Sequence, residues 1–184
     1  MTARDAMLSG ALYDALDPDL AAARARARAL VARLNATPDD APAARRALLA
    51  DLLGSVGEGV EVVSPFVCDY GAQIHLGARV FVNAGAVMLD VCEIRLGAGT
   101  LVGPSVQFYA ATHPTDPAIR RQGLELGAPI TVGENVWIGG GAILLAGVTV
   151  GDDSVIGAGS VVTRDIPPGV LAVGTPCRVV RPLP

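Results

Sequence analysis

The stretch from Val132 to Pro167 decides the fold of this chain, because it consists of six consecutive units of six residues. In one-letter code the units read VGENVW, IGGGAI, LLAGVT, VGDDSV, IGAGSV and VTRDIP. Each unit begins with Val, Ile or Leu, and in four of them a glycine follows. An amphipathic helix requires apolar residues about every 3.6 positions, and a half-buried strand requires them at every second position. A period of six therefore predicts a solenoid built from short flat faces.

The aliphatic residue that opens each unit is expected to point toward the axis of the coil. The glycine beside it is expected at a corner, either because a side chain would clash there or because φ is positive. The same period occurs earlier in the chain, at Leu76, Val82 and Met88, and then slips by two residues before it resumes at Leu96, Val102 and Phe108. The slip predicts a small bulge at a corner.

Residues 1–55 predict an N-terminal helical segment ahead of the solenoid. Asp17 and Pro18 form a helix cap and a first-turn proline, and the Ala- and Arg-rich stretch 19–35 follows them. A second helix is predicted over Pro42–Leu53, which Gly54 ends. The arginines of the first helix are interpreted as a solvated face; they are Arg24, Arg26, Arg28 and Arg33.

The solenoid is predicted over residues 56–184, with a C-terminal extension at about 168–184 and one interruption. From about 113 to 129 the chain carries prolines and charges but no repeat and no strand pattern. Most connections in compact domains are about 4 to 6 residues long, so an inserted loop of this length indicates a function. His113 opens the loop, and histidine exchanges protons near neutral pH. The other histidine, His75, is interpreted as an outward-facing strand residue.

Composition excludes several classes of protein. The 184 residues carry a formal net charge of −4, which argues against a nucleic-acid partner. No apolar secretory segment follows the N-terminus, and the uncharged stretch 135–151 contains five glycines, so we expect a cytoplasmic protein without a membrane span. Two histidines and three isolated cysteines, Cys68, Cys92 and Cys177, do not form a zinc pattern, so no metal is expected.

No nucleophile elbow, phosphate-binding glycine loop or metalloprotease motif is present. Three polar residues fall in the early coils: Asp69, Asn83 and Asp90. They are expected either to stabilise turns by hydrogen bonds to the backbone or, alternatively, to bind sugar hydroxyls. Trp137 occupies an outward position of its unit, where it packs at an interface or covers a ligand.

Several motifs together resemble a known family. They are Leu8 to Tyr13 (LSGALY), Cys68 to Gly71 (CDYG), Leu89 to Val91 (LDV), Ala111 to Pro114 (ATHP), Asn135 to Gly140 (NVWIGG), Val155 to Thr163 (VIGAGSVVT) and Gly174 to Val180 (GTPCRVV). The combination resembles the maltose and galactoside O-acetyltransferases of the hexapeptide-repeat acyltransferases. The resemblance extends over nearly the whole chain.

The resemblance implies a mainly β fold: a left-handed parallel β-helix, assembled as a homotrimer with active sites between subunits. It implies transfer of acetyl from acetyl-CoA directly to a sugar hydroxyl in a ternary complex. His113 then corresponds to the general base, and Glu125 to a carboxylate that orients the histidine or the sugar.

The resemblance also assigns binding residues. The acceptor would contact Asp69, Asn83, Asp90 and an acidic residue near the N-terminus, either Asp14 or the helix cap Asp17. The coenzyme would contact Trp137, Gly140, Ala158, Thr163, Arg164, Arg178 and Arg181. Galactoside-type relatives carry serine where Asp69 stands, so the acceptor is expected to be a glucose-containing, maltose-type sugar. Arg164 replaces the usual lysine, and the two cations bind phosphate with different geometry.

Two alternatives remain open from the sequence. The same donor site would serve an acetyltransferase whose acceptor is an amine or an antibiotic hydroxyl, because the loop at 113–129 shapes the pocket. A β-helix also serves as a binding scaffold or a metal protein in other families, since fold does not determine function.

Overall fold

The computed structural model describes all residues, 1–184, and contains four helices. They are α1 (Ala3–Leu8), α2 (Pro18–Ala36), α3 (Pro42–Leu52) and α4 (Pro117–Arg120). The two helices predicted from the sequence correspond to α2 and α3. Helix α1 was not predicted; a capping box between Thr2 and Asp5 begins it.

Twenty short strands follow one another along the chain. They are β1 (Tyr13–Asp14), β2 (Ser55–Val56), β3 (Glu61–Val62), β4 (Phe66–Cys68), β5 (Ile74–Leu76), β6 (Phe81–Val82), β7 (Ala86–Leu89), β8 (Ile94–Leu96), β9 (Leu101–Val102), β10 (Gln107–Tyr109), β11 (Ala111–Thr112), β12 (Leu124–Gly127), β13 (Ile130–Val132), β14 (Trp137–Ile138), β15 (Ile143–Leu145), β16 (Thr149–Val150), β17 (Val155–Ile156), β18 (Val161–Val162), β19 (Val170–Val173) and β20 (Arg178–Pro182).

Most of the strands form three flat faces, which the chain visits in turn. The first face has the order β16-β13-β8-β5-β2, the second β20-β19-β17-β14-β9-β6-β3, and the third β18-β15-β10-β7-β4. Apart from the antiparallel β20, neighbouring strands within each face are parallel. The predicted fold class is confirmed: the protein is mainly β, a parallel β-solenoid with short N-terminal helices.

The residues that recur with the six-residue period line the axis of the solenoid. The residues that open the six units are at most 1% exposed; they are Val132, Ile138, Leu144, Val150, Ile156 and Val162. Each of these residues stacks on its counterparts in the coils above and below, as Leu96 does between Leu76 and Val132. The residue two positions earlier is buried as well, as at Ile94 and Ile130.

The three faces differ on their outer side. The first face presents the polar row Ser55, His75, Arg95, Thr131 and Thr149. The second presents Glu61, Phe81, Leu101, Trp137, Val155 and Leu171. The third presents Val67, Val87, Gln107, Ile143 and Val161. Only the first face is therefore polar along its whole length.

The glycine after each aliphatic residue is required by the close approach of successive coils. Of the two reasons that the sequence left open, a clash with a side chain and a positive φ, the first applies. A Cβ on Gly97 would lie 2.4 Å from the carbonyl oxygen of Gly133 in the next coil. Left-handed backbone occurs two residues later, at Gly99, where φ is +71° and no atom lies within 4 Å of an added Cβ. The glycine after each aliphatic thus excludes a side chain, and a second position in the corner accommodates the turn.

Helix α2 begins at the predicted cap, where Asp17 accepts hydrogen bonds from the backbone N–H groups of Asp19 and Leu20. The interpretation of its arginines as a solvated face is wrong for Arg24. Its guanidinium donates to the Tyr70 hydroxyl at 2.6 Å and to the Ala15 carbonyl at 2.5 Å. The helix therefore presents this arginine to the solenoid.

The inserted segment contains more structure than expected. Helix α4 begins at the cap Asp116, and strand β12 then pairs antiparallel with β11 on one side and with β1 on the other. The expectation of a loop without strands is therefore wrong, because β12 obtains its hydrogen bonds from a strand at the N-terminus. At the C-terminus, β19 continues the second face in parallel with β17, and β20 turns back along it.

The two-residue slip in the repeat is a bulged corner organised by Asp90. Oδ1 of this fully buried carboxyl accepts hydrogen bonds from the N–H groups of Asp69 at 3.0 Å and Tyr70 at 2.9 Å, and Oδ2 accepts one from Gln73 at 3.3 Å. The expectation that Asp90 binds the acceptor is corrected by this geometry, because its oxygens are out of reach of a ligand. Its role is to hold the turn at 69–73.

Burial raises the pKa of Asp90 to about 7, although the N–H groups of Tyr70 and Gln73 act in the opposite direction. In the unfolded chain an aspartate loses its proton near pH 4. Between these values the folded chain binds more protons than the unfolded chain, so stability must fall as the pH rises.

Of the helices, none is long and apolar enough to cross a membrane. No group of three or more His, Cys, Asp or Glu side chains is arranged to hold a metal ion. The three cysteines are free and buried.

We expect Gly97→Ala to destabilise the solenoid by about 1–3 kcal/mol, since the added methyl group forces two coils apart. Gly99→Ala is the matched control in the same corner, and only its backbone conformation is strained, at a cost of about 1–2 kcal/mol. Urea unfolding of both variants at one protein concentration measures the difference. A Gly97→Ala variant as stable as the parental protein would contradict the role assigned to close approach.

The pH dependence of Asp90 is tested with Asp90→Asn, which cannot titrate but retains an oxygen for the N–H groups of Asp69 and Tyr70. Between about pH 4 and 7 the free energy of unfolding of the parental chain should fall relative to this variant, by at most about 1.4 kcal/mol per pH unit. Chemical unfolding at fixed protein concentration over that range is the measurement. A difference that stays constant or rises with pH would show that Asp90 ionises in the folded chain without penalty.

Candidate active site

The inserted segment and the N-terminus build a small sheet beside the solenoid. It has the order β1-β12-β11, with β12 in the centre. Strand β11 leaves the third face directly after β10, and β12 leads back to the first face through β13. We name the corner between these two faces, which carries residues 69–73, 90–93, 110–129, 146–148 and 163–165, the His113 corner. The sheet therefore stands where the repeat is interrupted.

The small sheet brings the two candidate catalytic residues together. Tyr13 pairs with Glu125 across β1 and β12, and Thr112 pairs with Leu126 across β11 and β12. His113 directly follows Thr112, one residue beyond the end of β11, and Glu125 directly precedes Leu126, so the two candidates flank the last residue pair between these strands. Residues opposite each other in antiparallel strands have Cβ atoms about 4.5–5.5 Å apart and share a face. His113 is exposed and Glu125 is half-buried.

Tyr13 is a site residue that the sequence did not reveal. Only 3% of it is exposed, and its hydroxyl donates to Oε2 of Glu125 at 2.8 Å. Burial, together with this hydrogen bond, raises the pKa of Tyr13 far above its ordinary value, so the hydroxyl remains protonated and remains a donor. The two residues are 112 positions apart, and no periodicity connects them.

Asp69 lies in the same region, on the turn that Asp90 holds. Burial raises the pKa of its half-buried carboxyl; Arg24 and Arg28 lower it, and the charge of Glu125 raises it. The two carboxylates are thus close enough to influence each other, with arginines of α2 offsetting their charge. Together they offer acceptor oxygens suited to hydroxyl groups.

The N-terminal acidic candidates do not join this group. Asp14 follows Tyr13 in β1, and successive strand residues point to opposite faces, so its side chain lies on the face away from Glu125. Its Oδ1 accepts the N–H of Leu16 at 2.8 Å. Asp17 caps α2.

Other predicted binding residues lie at a different corner. We name the corner between the second and third faces, which carries residues 83–85, 103–105, 139–141 and 157–159, the Gly140 corner. Asn83 lies there, with its side-chain oxygen accepting the N–H of Ala84 at 2.8 Å. Gly140 and Ala158 stack in successive coils, and the Gly159 N–H donates to the Gly140 carbonyl at 3.0 Å.

The Gly140 corner has features that suit a ligand. Trp137, 55% exposed, lies on the second face just before it. The backbone N–H groups of Gly139 and Gly141 donate to Ile156 and Pro104, whereas those of Gly140 and Ala158 make no hydrogen bond within the chain. Two free donors therefore lie beside an exposed indole ring.

The remaining predicted coenzyme residues are Thr163, Arg164, Arg178 and Arg181. All four are exposed, and they fall into two groups. Thr163 and Arg164 follow β18 at the His113 corner, and Arg178 and Arg181 lie on β20 beside the second face. The guanidinium groups of Arg178 and Arg181 donate only to backbone carbonyls, of Cys177 and Pro182. Neither these two nor Arg164 forms an ion pair in the chain, so all three retain donors for phosphate.

Two family models match the chain. Residues 6–57 match the maltose acetyltransferase hexapeptide capping motif, which is the helical segment with β1 and β2. Residues 129–164 match the bacterial transferase hexapeptide in six repeats. The interrupted coils and the small sheet lie mainly between the two matches.

Individual relatives are similar over nearly the whole chain. Nodulation protein L of Rhizobium meliloti (strain 1021) is 49% identical over 97% of each chain. A maltose O-acetyltransferase from Clostridium difficile 630 is 46% identical, with a TM-score of 0.98 over 100% of this chain and 98% of that one. A galactoside acetyltransferase in complex with coenzyme A is 35% identical, with a TM-score of 0.96 over 100% and 92%. The chain therefore belongs to the maltose and galactoside O-acetyltransferase family of hexapeptide-repeat acyltransferases and is an acyltransferase.

Proposed function

We propose that the protein transfers acetyl from acetyl-CoA directly to a sugar hydroxyl, with His113 as the general base. The observation that carries the proposal is the hydrogen-bonded pair Tyr13 and Glu125 in the small sheet, next to the end of β11 where His113 follows and the solenoid repeat stops. A carboxylate near an exposed imidazole is suited to orienting a base or a hydroxyl. The coenzyme A complex of the galactoside acetyltransferase supports the donor.

The reaction balances with one base and no covalent enzyme intermediate. The acceptor hydroxyl gives its proton to a ring nitrogen of His113 while its oxygen attacks the thioester carbonyl carbon. The carbon–sulfur bond then breaks, and the proton on His113 passes to the departing thiolate. A positioned base of this kind contributes about 10² to 10⁴ in rate. No nucleophilic serine or cysteine is required.

The negative charge that develops on the thioester oxygen requires a donor. The free N–H groups of Gly140 and Ala158 are the candidates in this chain. A backbone donor aimed at such an oxygen contributes about 10² to 10³ in kcat. We assign the thioester end of the donor to the Gly140 corner, with Trp137 beside the pantetheine arm. Thr163, Arg164, Arg178 and Arg181 would bind the remainder of the coenzyme, the arginines through its phosphates.

A single chain does not combine both corners, which supports a homotrimer with shared sites. The two corners are separated by the third face, and a strand of three residues such as β15 alone spans about 10 Å. The third face also exposes apolar side chains; Val67 is 46% exposed and Leu145 is 36% exposed. Packing of a second copy against this face would cover them and bring its Gly140 corner to His113.

The acceptor would bind between Asp69 and Glu125, whose oxygens accept hydrogen bonds from sugar hydroxyls. Asn83 lies at the other corner, so it would reach the acceptor from the neighbouring subunit. Asp69 stands in the Cys-Asp-Tyr-Gly motif at 68–71, which the family resemblance associates with maltose-type acceptors. A glucose-containing sugar is therefore the acceptor that we propose.

We expect His113→Ala to reduce kcat for acetyl transfer by about 10² to 10⁴, because the hydroxyl loses its base. Release of free thiol from acetyl-CoA in the presence of maltose, glucose, galactosides and amines measures the activity and identifies the acceptor class. His75→Ala is the matched control, since His75 lies on the first face beside Ser55. Undiminished transfer by His113→Ala, or transfer to amines alone, would refute the proposed function.

Shared sites predict complementation between two inactive variants. His113→Ala removes the base, and Ala158→Trp fills the groove at an exposed position of the Gly140 corner. Trimers refolded from an equal mixture should recover about a quarter of the parental activity, because some interfaces combine two intact corners. Light scattering checks the trimer. A mixture as inactive as its components, in mixed trimers of confirmed composition, would place each site within one chain.

A further inference from the structure

Strand β1 is held in place by contacts of its own. Helix α1 packs Met7 into the core, and the Met7 carbonyl accepts a hydrogen bond from the Cys92 thiol at 3.2 Å. A Cβ on Gly10 would lie 2.6 Å from the carbonyl oxygen of Gly127, so the chain passes directly against β12. The N-terminus therefore forms a fixed edge of the small sheet.

Tyr13 is the residue of this edge that reaches Glu125. Its hydroxyl donates to Oε2, and this is the only hydrogen bond that the Glu125 side chain makes in the chain. Oε1 is left without a partner. On the other side of β12, Thr112 pairs with Leu126, the neighbour of Glu125, and His113 follows Thr112. The carboxylate therefore has Tyr13 on one side and the segment that carries His113 on the other.

We propose that Tyr13 is a positioning residue for acetyl transfer: its hydroxyl fixes the Glu125 carboxylate so that Oε1 serves His113 or the acceptor hydroxyl. This inference rests on the proposed function. Tyr13 itself lies beneath the site and does not touch the substrate. It restricts the rotation of the Glu125 carboxylate, which has no other hydrogen-bond partner in the chain.

The buried hydroxyl is suited to this task over a wide pH range. Burial keeps it protonated, so it does not become a phenolate, which could not donate to the carboxylate and would repel it. A buried tyrosine hydroxyl requires a partner, and here that partner is a side chain of the site rather than a backbone carbonyl. The N-terminal segment thus contributes directly to the geometry of the site.

Tyr13→Phe tests the inference, since it removes one oxygen and retains the buried ring. We expect kcat for the sugar acceptor to fall about ten- to a hundredfold, with the KM for acetyl-CoA unchanged, because a misplaced catalytic group reduces the rate without affecting donor binding. Ser55→Ala is the control for loss of a side-chain hydroxyl, because Ser55 hydrogen-bonds to His75 on the first face, away from both corners. Thermal unfolding of each variant reports stability separately.

A double-mutant cycle with Glu125→Gln distinguishes positioning from general support of the fold. If the hydroxyl acts through the carboxylate, the double variant Tyr13→Phe/Glu125→Gln is no slower than Glu125→Gln alone. Additive losses, or parental kcat in Tyr13→Phe, would overturn the inference. If Tyr13→Phe loses stability, Glu125→Gln alone still tests whether the carboxylate contributes to kcat, because this variant leaves Tyr13 and the N-terminus unchanged.

The two proposals fail in different ways. Loss of transfer in His113→Ala combined with full activity in Tyr13→Phe would reject Tyr13 as a positioning residue and leave the proposed function standing. Full activity in His113→Ala would reject the base itself, and the role of Tyr13 in the reaction would fall with it.

Discussion

The close approach of successive coils at their corners is the constraint on which the rest of the structure depends. Parallel strands of two to four residues bond to their counterparts above and below, and Gly97 and its equivalents let the backbones meet. Once this spacing is fixed, the inward aliphatic residues of each coil stack on those of its neighbours, and the outward residues stack in rows. Corners stack in the same way, so residues far apart in the sequence share an edge of the solenoid.

The proposed acceptor site lies where this regularity is interrupted. The slip at Asp90 produces a turn that carries Asp69, and the longer break produces β11 and β12. Strand β1 completes the small sheet from the N-terminus and brings Tyr13 to Glu125. The regular coils provide the Gly140 corner, where free N–H groups and Trp137 are available to the donor. A rigid repeat therefore supports an irregular acceptor site.

The sequence predicted what the repeat determines and missed what tertiary pairing determines. The residues that line the axis could be predicted from the period, because in a narrow core the large aliphatic residue of each unit has to point inward. The pairing of Tyr13 with Glu125 depends on a contact across 112 positions, which periodicity cannot reveal. Asp90 was expected in the acceptor site from the family resemblance, with turn chemistry as the alternative; its partners are N–H groups of the preceding coil, which agrees with the alternative. Arg24 was read as part of a solvated run of charges, because the sequence does not show that its partner Tyr70 lies on the solenoid.

The central claim is that acetyl transfer takes place at the His113 corner with the small sheet supplying the base. A crystal structure of the protein with coenzyme A and maltose tests it most directly. The account predicts a sugar hydroxyl oxygen about 2.6–3.2 Å from a ring nitrogen of His113, with the coenzyme sulfur nearby and in contact with the Gly140 corner of a neighbouring subunit. A sugar bound away from His113 and Glu125, with coenzyme A along another face, would contradict it.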